Sequence, residues 1–313
     1  GASFDQQIGR VLSKVLRINL NENRVELGFG AYGVGRRRTS TGDAHDVGSE
    51  DVAHHRATGV LDAAQMLSPL PLATSLGVGG MRAEVITGLA LSLNGNAITV
   101  GRGLADAIAD QGGDPALGAK STADAFGKSL KQGKRQVTLA AAHTFSCHTF
   151  LLQRWLKAGG IDPETAVRII VLPPEQMVDS LARGIIDGFC VGEPWNSIAV
   201  QYGVGTVQAT GYQIWNNGVE KVLGVTGNWH QNHPGTHLRL RLALMEACTW
   251  LSHPFNREQT ASVLAEPRYL DLPQSAIEPS LTGQFSFSKG AAPADLPRRH
   301  KATARPRHAA HYT

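Results

Sequence analysis

The sequence predicts an α/β fold built on a parallel sheet, and three observations carry that prediction. Strand-like and helix-like runs alternate through the middle of the 313-residue chain in the order β-α-β-α-β. Glycine and proline punctuate those runs where elements must stop or start. Glycine is also abundant, at 35 residues, which favours tight turns and short loops over long helices.

Each element has a local reason. Residues 60–66 form the first strand candidate; Pro69 and Pro71 break it and lead into a short helix ending at Gly77 or Gly79. Residues 84–93 read as a strand, and 97–100 extend it past Asn94-Gly95-Asn96. Residues 135–142 are a strand. Residues 147–158 are a helix, with Phe150, Leu151, Trp155 and Leu156 at helical spacing and Gly159–Gly160 as its stop. A β-branched strand follows at 167–172. Pro173–Pro174 then opens a helix through Met177, Val178 and Leu181, closed by Gly184. Residues 185–191 are a strand that runs into Gly192, and 222–225 are another. Residues 238–251 form an amphipathic helix with Leu240, Ala243, Leu244, Ala247 and Leu251 on one side. Two segments resist this reading: 30–58, with Arg36-Arg37-Arg38 and scattered Gly, Asp and His, and the tail from Arg298.

Composition narrows the function classes. Hydrophobic residues make up 42% and charged residues 18%, which is globular rather than disordered. The net charge of +4 is concentrated in the tail, where Arg298, Arg299, Lys301, Arg305 and Arg307 have no acidic neighbour; without them the chain carries about −1. The body therefore offers no electrostatic case for direct nucleic-acid binding or for a membrane surface. No apolar run reaches the length of a membrane span. The start of the sequence lacks a signal peptide's ordered regions, so the expectation is a cytoplasmic protein or a missing N-terminus. Cys147, Cys190 and Cys248 are too few and too widely spaced for a disulfide framework or a zinc ribbon; they read as free, mostly buried thiols that suit a reducing compartment.

Four constellations could carry chemistry. Phe145-Ser146-Cys147-His148-Thr149 lies at a strand-to-helix junction, where a helix N-terminus makes a natural anion seat. Ser146 can cap that helix and His148 can donate from its first turn; an ordinary cap beside a surface histidine is the plainer alternative. Cys147 and His148 are sequence neighbours, which is poor geometry for a nucleophile and its base. His54–His55, or His143 with His148, lack the further ligands of a metal site, and no cofactor or metal is expected. Phe189-Cys190-Val191-Gly192-Glu193-Pro194-Trp195-Asn196 puts Glu193, Trp195 and Asn196 at the carboxyl end of a parallel strand, where α/β sheets bind ligands. The alternative there is a strand-to-helix turn with Pro at N1 and a packing Trp. Asn94-Gly95-Asn96 is either a hairpin turn or a close backbone approach to a ligand. Lys221, after Glu220, is either a site cation or a solvated charge.

Several segments occurring in order carry a resemblance: Asp62-Ala63-Ala64-Gln65-Met66-Leu67, Leu93 through Ile98, Trp155 through Pro163, Leu172 through Val178, Gly188 through Asn196, and Glu220 through Gly224. Together they resemble the nitrate/nitrite/bicarbonate solute-binding family of ABC transporters and its cytoplasmic nitrate-sensor relatives, over residues 58–296. The stretch from Gly188 to Asn196 is the most specific. The resemblance implies a type II periplasmic-binding-protein fold, two α/β lobes with a ligand cleft between them. The boundaries it implies are 1–98 for the first part of lobe 1, 99–210 for lobe 2, 211–297 for the rest of lobe 1, and 298–313 for a basic tail.

By motif, Asn96 takes a position that is often Gln and offers an amide, His148 matches the family's cleft histidine, and Lys221 matches its cleft lysine and countercharge. Ser146, Cys147, Glu193 and Trp195 complete the candidate ligand set. The family's ligand-facing Trp has no match in 30–58, the first strand and helix are shortened between 16 and 29, and an Arg/His tail replaces the aromatic-rich C-terminus. These odd segments read as out-of-frame translation. The implied function is nitrate or nitrite binding for an ABC-type transport system, with permease and ATPase partners. The alternative is a cytoplasmic sensor that sequesters an RNA-binding antiterminator. An enzyme like the pyrimidine synthases of this fold is remote, because their cysteine-rich motif is missing.

Overall fold

The structure is a computed structural model that describes residues 37–38, 44–45, 62–78, 80, 82–133, 135–267 and 269–294. The remaining parts of 30–58, the segment 16–29 and the tail 298–313 lie outside the described residues, and the expectations for them with it.

Along the chain, β1 (Arg37–Arg38) pairs antiparallel with β2 (Ala44–His45). Then come β3 (Ala63–Leu67), α1 (Leu70–Leu76), β4 (Val85–Leu93), β5 (Asn96–Gly101), α2 (Arg102–Asp110) and α3 (Ala119–Gln132). The middle of the chain holds β6 (Val137–Ala141), α4 (Cys147–Ala158), β7 (Val167–Val171), α5 (Pro174–Ala182), β8 (Gly188–Gly192), α6 (Trp195–Gln201), β9 (Gly205–Thr210) and α7 (Gly211–Ile214). Last are β10 (Val219–Thr226), α8 (Gly227–Asn232), α9 (Pro234–Ser252), α10 (Arg257–Ala265) and α11 (Gln274–Thr282).

The chain divides into two compact units. The first holds the described residues up to Leu93 together with Val219–Thr260; the second holds Asn94–Gly218 and 261–294. In this division 261–294 pack with the second unit, whereas the sequence reading placed 211–297 with the first lobe.

Unit 1 has a three-stranded antiparallel sheet in the order β3-β10-β4. Ala63, Leu223, Val225, Trp229, Leu240 and Ala243 form its core under α8 and α9. α9 begins four residues before the expected start at 238, because Pro234 at its first position has no N–H to leave unpaired.

Unit 2 has a five-stranded sheet in the order β7-β6-β8-β5-β9. β6 runs parallel to β7 and β8, as the β-α-β-α-β pattern predicts, but β5 is antiparallel to both β8 and β9. The sheet is therefore mixed rather than parallel throughout. The expected continuation of β4 into β5 also fails. Asn94 and Gly95 both take positive φ, 51° and 83°, and turn the chain out of one sheet into the other. Asn94-Gly95-Asn96 is thus a crossing, not a hairpin; Asn94 N–H donates to Gly218 O at 2.8 Å and its Nδ2 to Trp215 O at 3.0 Å.

α4 occupies the predicted residues, but its inward stripe is His148, Leu151, Leu152, Trp155 and Leu156. Phe150 points outward, 44% exposed, because it falls off the three-four spacing of that stripe. Trp155 stacks on Phe126 of α3 at 5.2 Å, and its Nε1 donates to Ala119 O at 3.0 Å. Of the cysteines, Cys190 is buried in this core while Cys147 and Cys248 are only partly covered.

Candidate functional site

The unit 2 sheet brings six of the seven predicted residues to one end. β6 leads to Ser146, Cys147 and His148 through its carboxyl end, β8 leads to Glu193 and Trp195 through its own, and antiparallel β5 begins at the same end with Asn96. These three strands are neighbours, and Asn96 pairs in register with Gly192.

Ser146 is the N-cap of α4, extended at φ −119° and ψ 155°. Its Oγ accepts from Thr149 N–H at 3.1 Å and donates to His143 O at 2.6 Å, so its hydroxyl is committed to building the helix start. The Thr149 hydroxyl also donates to His143 O, at 2.8 Å. The first N–H groups of the helix belong to Cys147 and His148, ahead of the first intrahelical bond. His148 is fully buried, not a surface residue, because it lies on the core stripe of α4 one turn above Leu151 and Leu152.

After β8 the chain turns through a cis Glu193–Pro194 peptide into α6, which starts at Trp195 with Pro194 as its N-cap rather than at N1. Glu193 N–H donates to Gly95 O at 2.8 Å, which ties this turn to the start of β5. One carboxyl oxygen of Glu193, Oε2, accepts from Ser197 Oγ at 2.7 Å and Ser197 N–H at 3.2 Å. Burial pushes this carboxyl up to about 7, with the Ser197 hydroxyl and N–H and then the Asn196 side chain pulling the other way. Asn196 is structural: Thr99 Oγ1 donates to its Oδ1 at 2.7 Å, and its Nδ2 donates to Val191 O at 2.9 Å, so α6 is bound to β5 and β8.

Sequence reasoning missed the fourth wall of this end. β9 finishes at Thr210, the N-cap of α7, with a reciprocal capping box to Gln213. The spacing Thr-x-x-Gln was the available signal. Gly211 then lies under the Asn96 side chain, and any Cβ there would run into Asn96 Oδ1.

Lys221, the seventh residue, belongs to unit 1, where it is buried in β10. Its Nζ meets Glu220 Oε1 at 2.6 Å. Successive strand residues normally face opposite ways. Here the register against β4 shifts on both sides of Lys221, a bulge that lets the neighbouring side chains meet. Lys221 is therefore not a solvated charge.

A groove of about 700 Å³ lies at the opposite end of the unit 2 sheet, lined by Arg102, Arg135, Asp187, Tyr202, Leu130 and Leu181 among others. None of the predicted site residues borders it. Among the described residues no group of three or more His, Cys, Asp or Glu is arranged to hold a metal ion, and no helix is long and apolar enough to cross a membrane.

Residues 39–265 match the model of the NMT1-like family. The chain is 40% identical over 226 residues to the nitrate import ATP-binding protein NrtC of Synechocystis sp., an alignment of 72% of this chain with 32% of NrtC. It is 32% identical over 243 residues to the nitrate/nitrite binding protein NrtA of Synechococcus elongatus, covering 74% of this chain and 52% of NrtA. The crystal structure of the periplasmic nitrate-binding protein NrtA from Synechocystis superposes with a TM-score of 0.73 at 24% identity, over 82% of this chain and 65% of that one. The chain thus spans about a third of NrtC and about half of the NrtA sequence. The likeness to the crystal structure establishes the fold of periplasmic solute-binding proteins, α/β with mixed sheets, and the family model takes in residues of both units: the chain belongs to the NMT1-like family.

Proposed function

We propose that the chain binds nitrate or nitrite as the solute-binding component of an ABC-type nitrate transport system, and that it catalyses no reaction. The observation that supports this most is the donor-rich end of the unit 2 sheet. There the capped N-terminus of α4, the His148 ring, the Asn96 amide and the Trp195 indole gather on three adjacent strand ends. A helix N-terminus offers N–H groups and a partial positive charge. Trp195 Nε1 is a buried donor that meets no acceptor among the described residues. Such donors suit a small oxyanion, which accepts hydrogen bonds from every oxygen.

In this reading Ser146 holds the helix start, Cys147 and His148 contribute the first turn, and Glu193 and Trp195 border the anion; Lys221 is proposed as the countercharge by motif alone. The names of the relatives NrtC and NrtA support nitrate as the solute, and that of NrtC an ATP-binding subunit as partner; relatives named for bicarbonate transport, 38–41% identical, make bicarbonate the competing anion.

Nitrate has four non-hydrogen atoms, so a ceiling of about −1.5 kcal/mol each gives about −6 kcal/mol, or tens of micromolar. Calorimetric titration with nitrate, nitrite and bicarbonate in turn tests the proposal. Saturable binding of nitrate or nitrite near that affinity is expected. Saturation by bicarbonate alone would reassign the solute, and no heat from any of the three at millimolar concentration would sink the anion-binding reading.

A further inference from the structure

Resting on the anion site just proposed, we infer that Glu193 is its proton-carrying residue: the anion enters together with one proton from solvent, held on Glu193 Oε1 and donated in a hydrogen bond to an anion oxygen. Glu193 follows Gly192, the register partner of Asn96, so its carboxyl belongs to the same sheet end as the anion-binding donors. Its Oε2 is fixed by Ser197. Its Oε1 is shielded from solvent and has no hydrogen bond of normal geometry among the described residues, the neighbouring Asn196 side chain giving the carboxyl a weaker pull than the Ser197 hydroxyl and N–H.

An ionised carboxylate with one oxygen left so would lack compensation. Beside a bound anion it would also repel its guest. Protonation removes both difficulties, because Oε1 then presents an O–H donor where the anion needs one. Burial already brings the carboxyl to about 7, within reach of that change near neutral pH.

No charged neighbour drives the rise. On the elements packed against α6, the titratable groups are Glu175 and Asp179 of α5, Glu278 of α11 and Cys190 of β8, while β5 and β9 carry none. Cys147 and His148 of α4 lie at the same sheet end. The device also favours anions without a hydrogen of their own. Nitrate and nitrite can only accept from Glu193, whereas bicarbonate carries an O–H that can donate to the ionised carboxylate and needs no added proton.

The test is calorimetric titration of the full chain with sodium nitrate at about pH 6, 7 and 8, each in two buffers of different ionisation heat. Proton uptake per nitrate bound should climb from near zero at the acidic end to most of a proton at the alkaline end. Affinity should fall about tenfold over the same range, as the protonated fraction of free Glu193 falls. Both trends should vanish in Glu193→Gln. An infrared difference spectrum of the unaltered chain at about pH 8 should gain a protonated-carboxyl band on adding nitrate, a readout independent of whether the variant folds. Nitrate binding with neither proton uptake nor that band overturns the inference and leaves the anion site standing. Uptake that persists in a folded Glu193→Gln overturns it too, by giving the proton to another group. Absence of nitrate binding at every pH is a failure of the anion site itself and takes the inference with it.

Discussion

Residues at the two ends of β10 and β8 show how little a residue's identity says until its neighbours are known. In sequence Lys221 is a cation after an acid, and either a solvated charge or a site group. In the fold it is buried and ion-paired with Glu220 at 2.6 Å, by way of a bulge that overrides strand alternation. Removing one member of such a buried pair takes the counterion from the other, at a loss of about 3–5 kcal/mol. Lys221→Met should therefore lower stability by about that amount in urea unfolding, and Glu220→Gln/Lys221→Met together should recover most of it. Nitrate affinity should stay at least about tenfold weaker in both variants, since a charge-assisted hydrogen bond contributes about 1.5–3 kcal/mol. Recovery of binding along with stability in the double variant would remove Lys221 from the ligand set.

At the scale of elements, α4 was the most legible piece. Ser146 before it, Gly159–Gly160 after it and an apolar stripe through it define its limits, and the helix occupies Cys147–Ala158. What the pattern could not rank was which apolar residue faces in. Phe150 is exposed, whereas Trp155 is fully buried, stacked on Phe126 and hydrogen-bonded to Ala119 O. Trp155→Ala should cost about 3–5 kcal/mol through the cavity and the lost packing, and Phe150→Ala under about 1 kcal/mol, both by urea unfolding. Equal losses would mean that the stripe is misassigned. α2, α3 and β9 have no reading in the sequence, and α6 enters only as the alternative of a strand-to-helix turn after β8. α6 is held in place by Asn196, whose partners Thr99 and Val191 come from two different strands, and no local window contains both.

Over the whole molecule, two buried titratable groups set opposite pH dependences, one in each unit. Glu193 has its carboxyl raised from an ordinary 4.5 to about 7 by burial, so the folded chain keeps a proton that the unfolded chain sheds. Its contribution to stability is fully present below about 4.5 and is lost as pH rises through about 7. His237 is pushed below its ordinary 6.5 by burial, with His230 and Arg241 adding to the effect. Its Nδ1 lies 2.9 Å from His230 Nδ1, and its buried Nε2 meets no partner among the described residues, so a second proton has nowhere to go. Stability from His237 is fully present above about 6.5 and declines as pH falls below it. Thermal melts across pH should show Glu193→Gln gaining on the unaltered chain from about pH 4.5 to 7 and then levelling. His237→Asn should gain on it only below about pH 6.5. Parallel melting curves at all pH values would refute both assignments.

Local order was written in the sequence itself: the cap at Ser146, the proline starts at Pro71 and Pro174, the glycine stops at Gly77 and Gly184, and the strands at 137–141 and 167–171. Each depends on residues within a few positions of one another, so dihedral preference and periodicity suffice to read it. The sheet order β7-β6-β8-β5-β9, the reversed direction of β5, the crossing at Asn94–Gly95, the Glu220–Lys221 pair and the raised carboxyl of Glu193 were decided only by the tertiary structure. Strand pairing joins residues as remote as Asn96 and Gly192, and a buried charge responds to everything packed around it. Those energies come into being when distant segments exclude water together, which no run of neighbouring residues can encode.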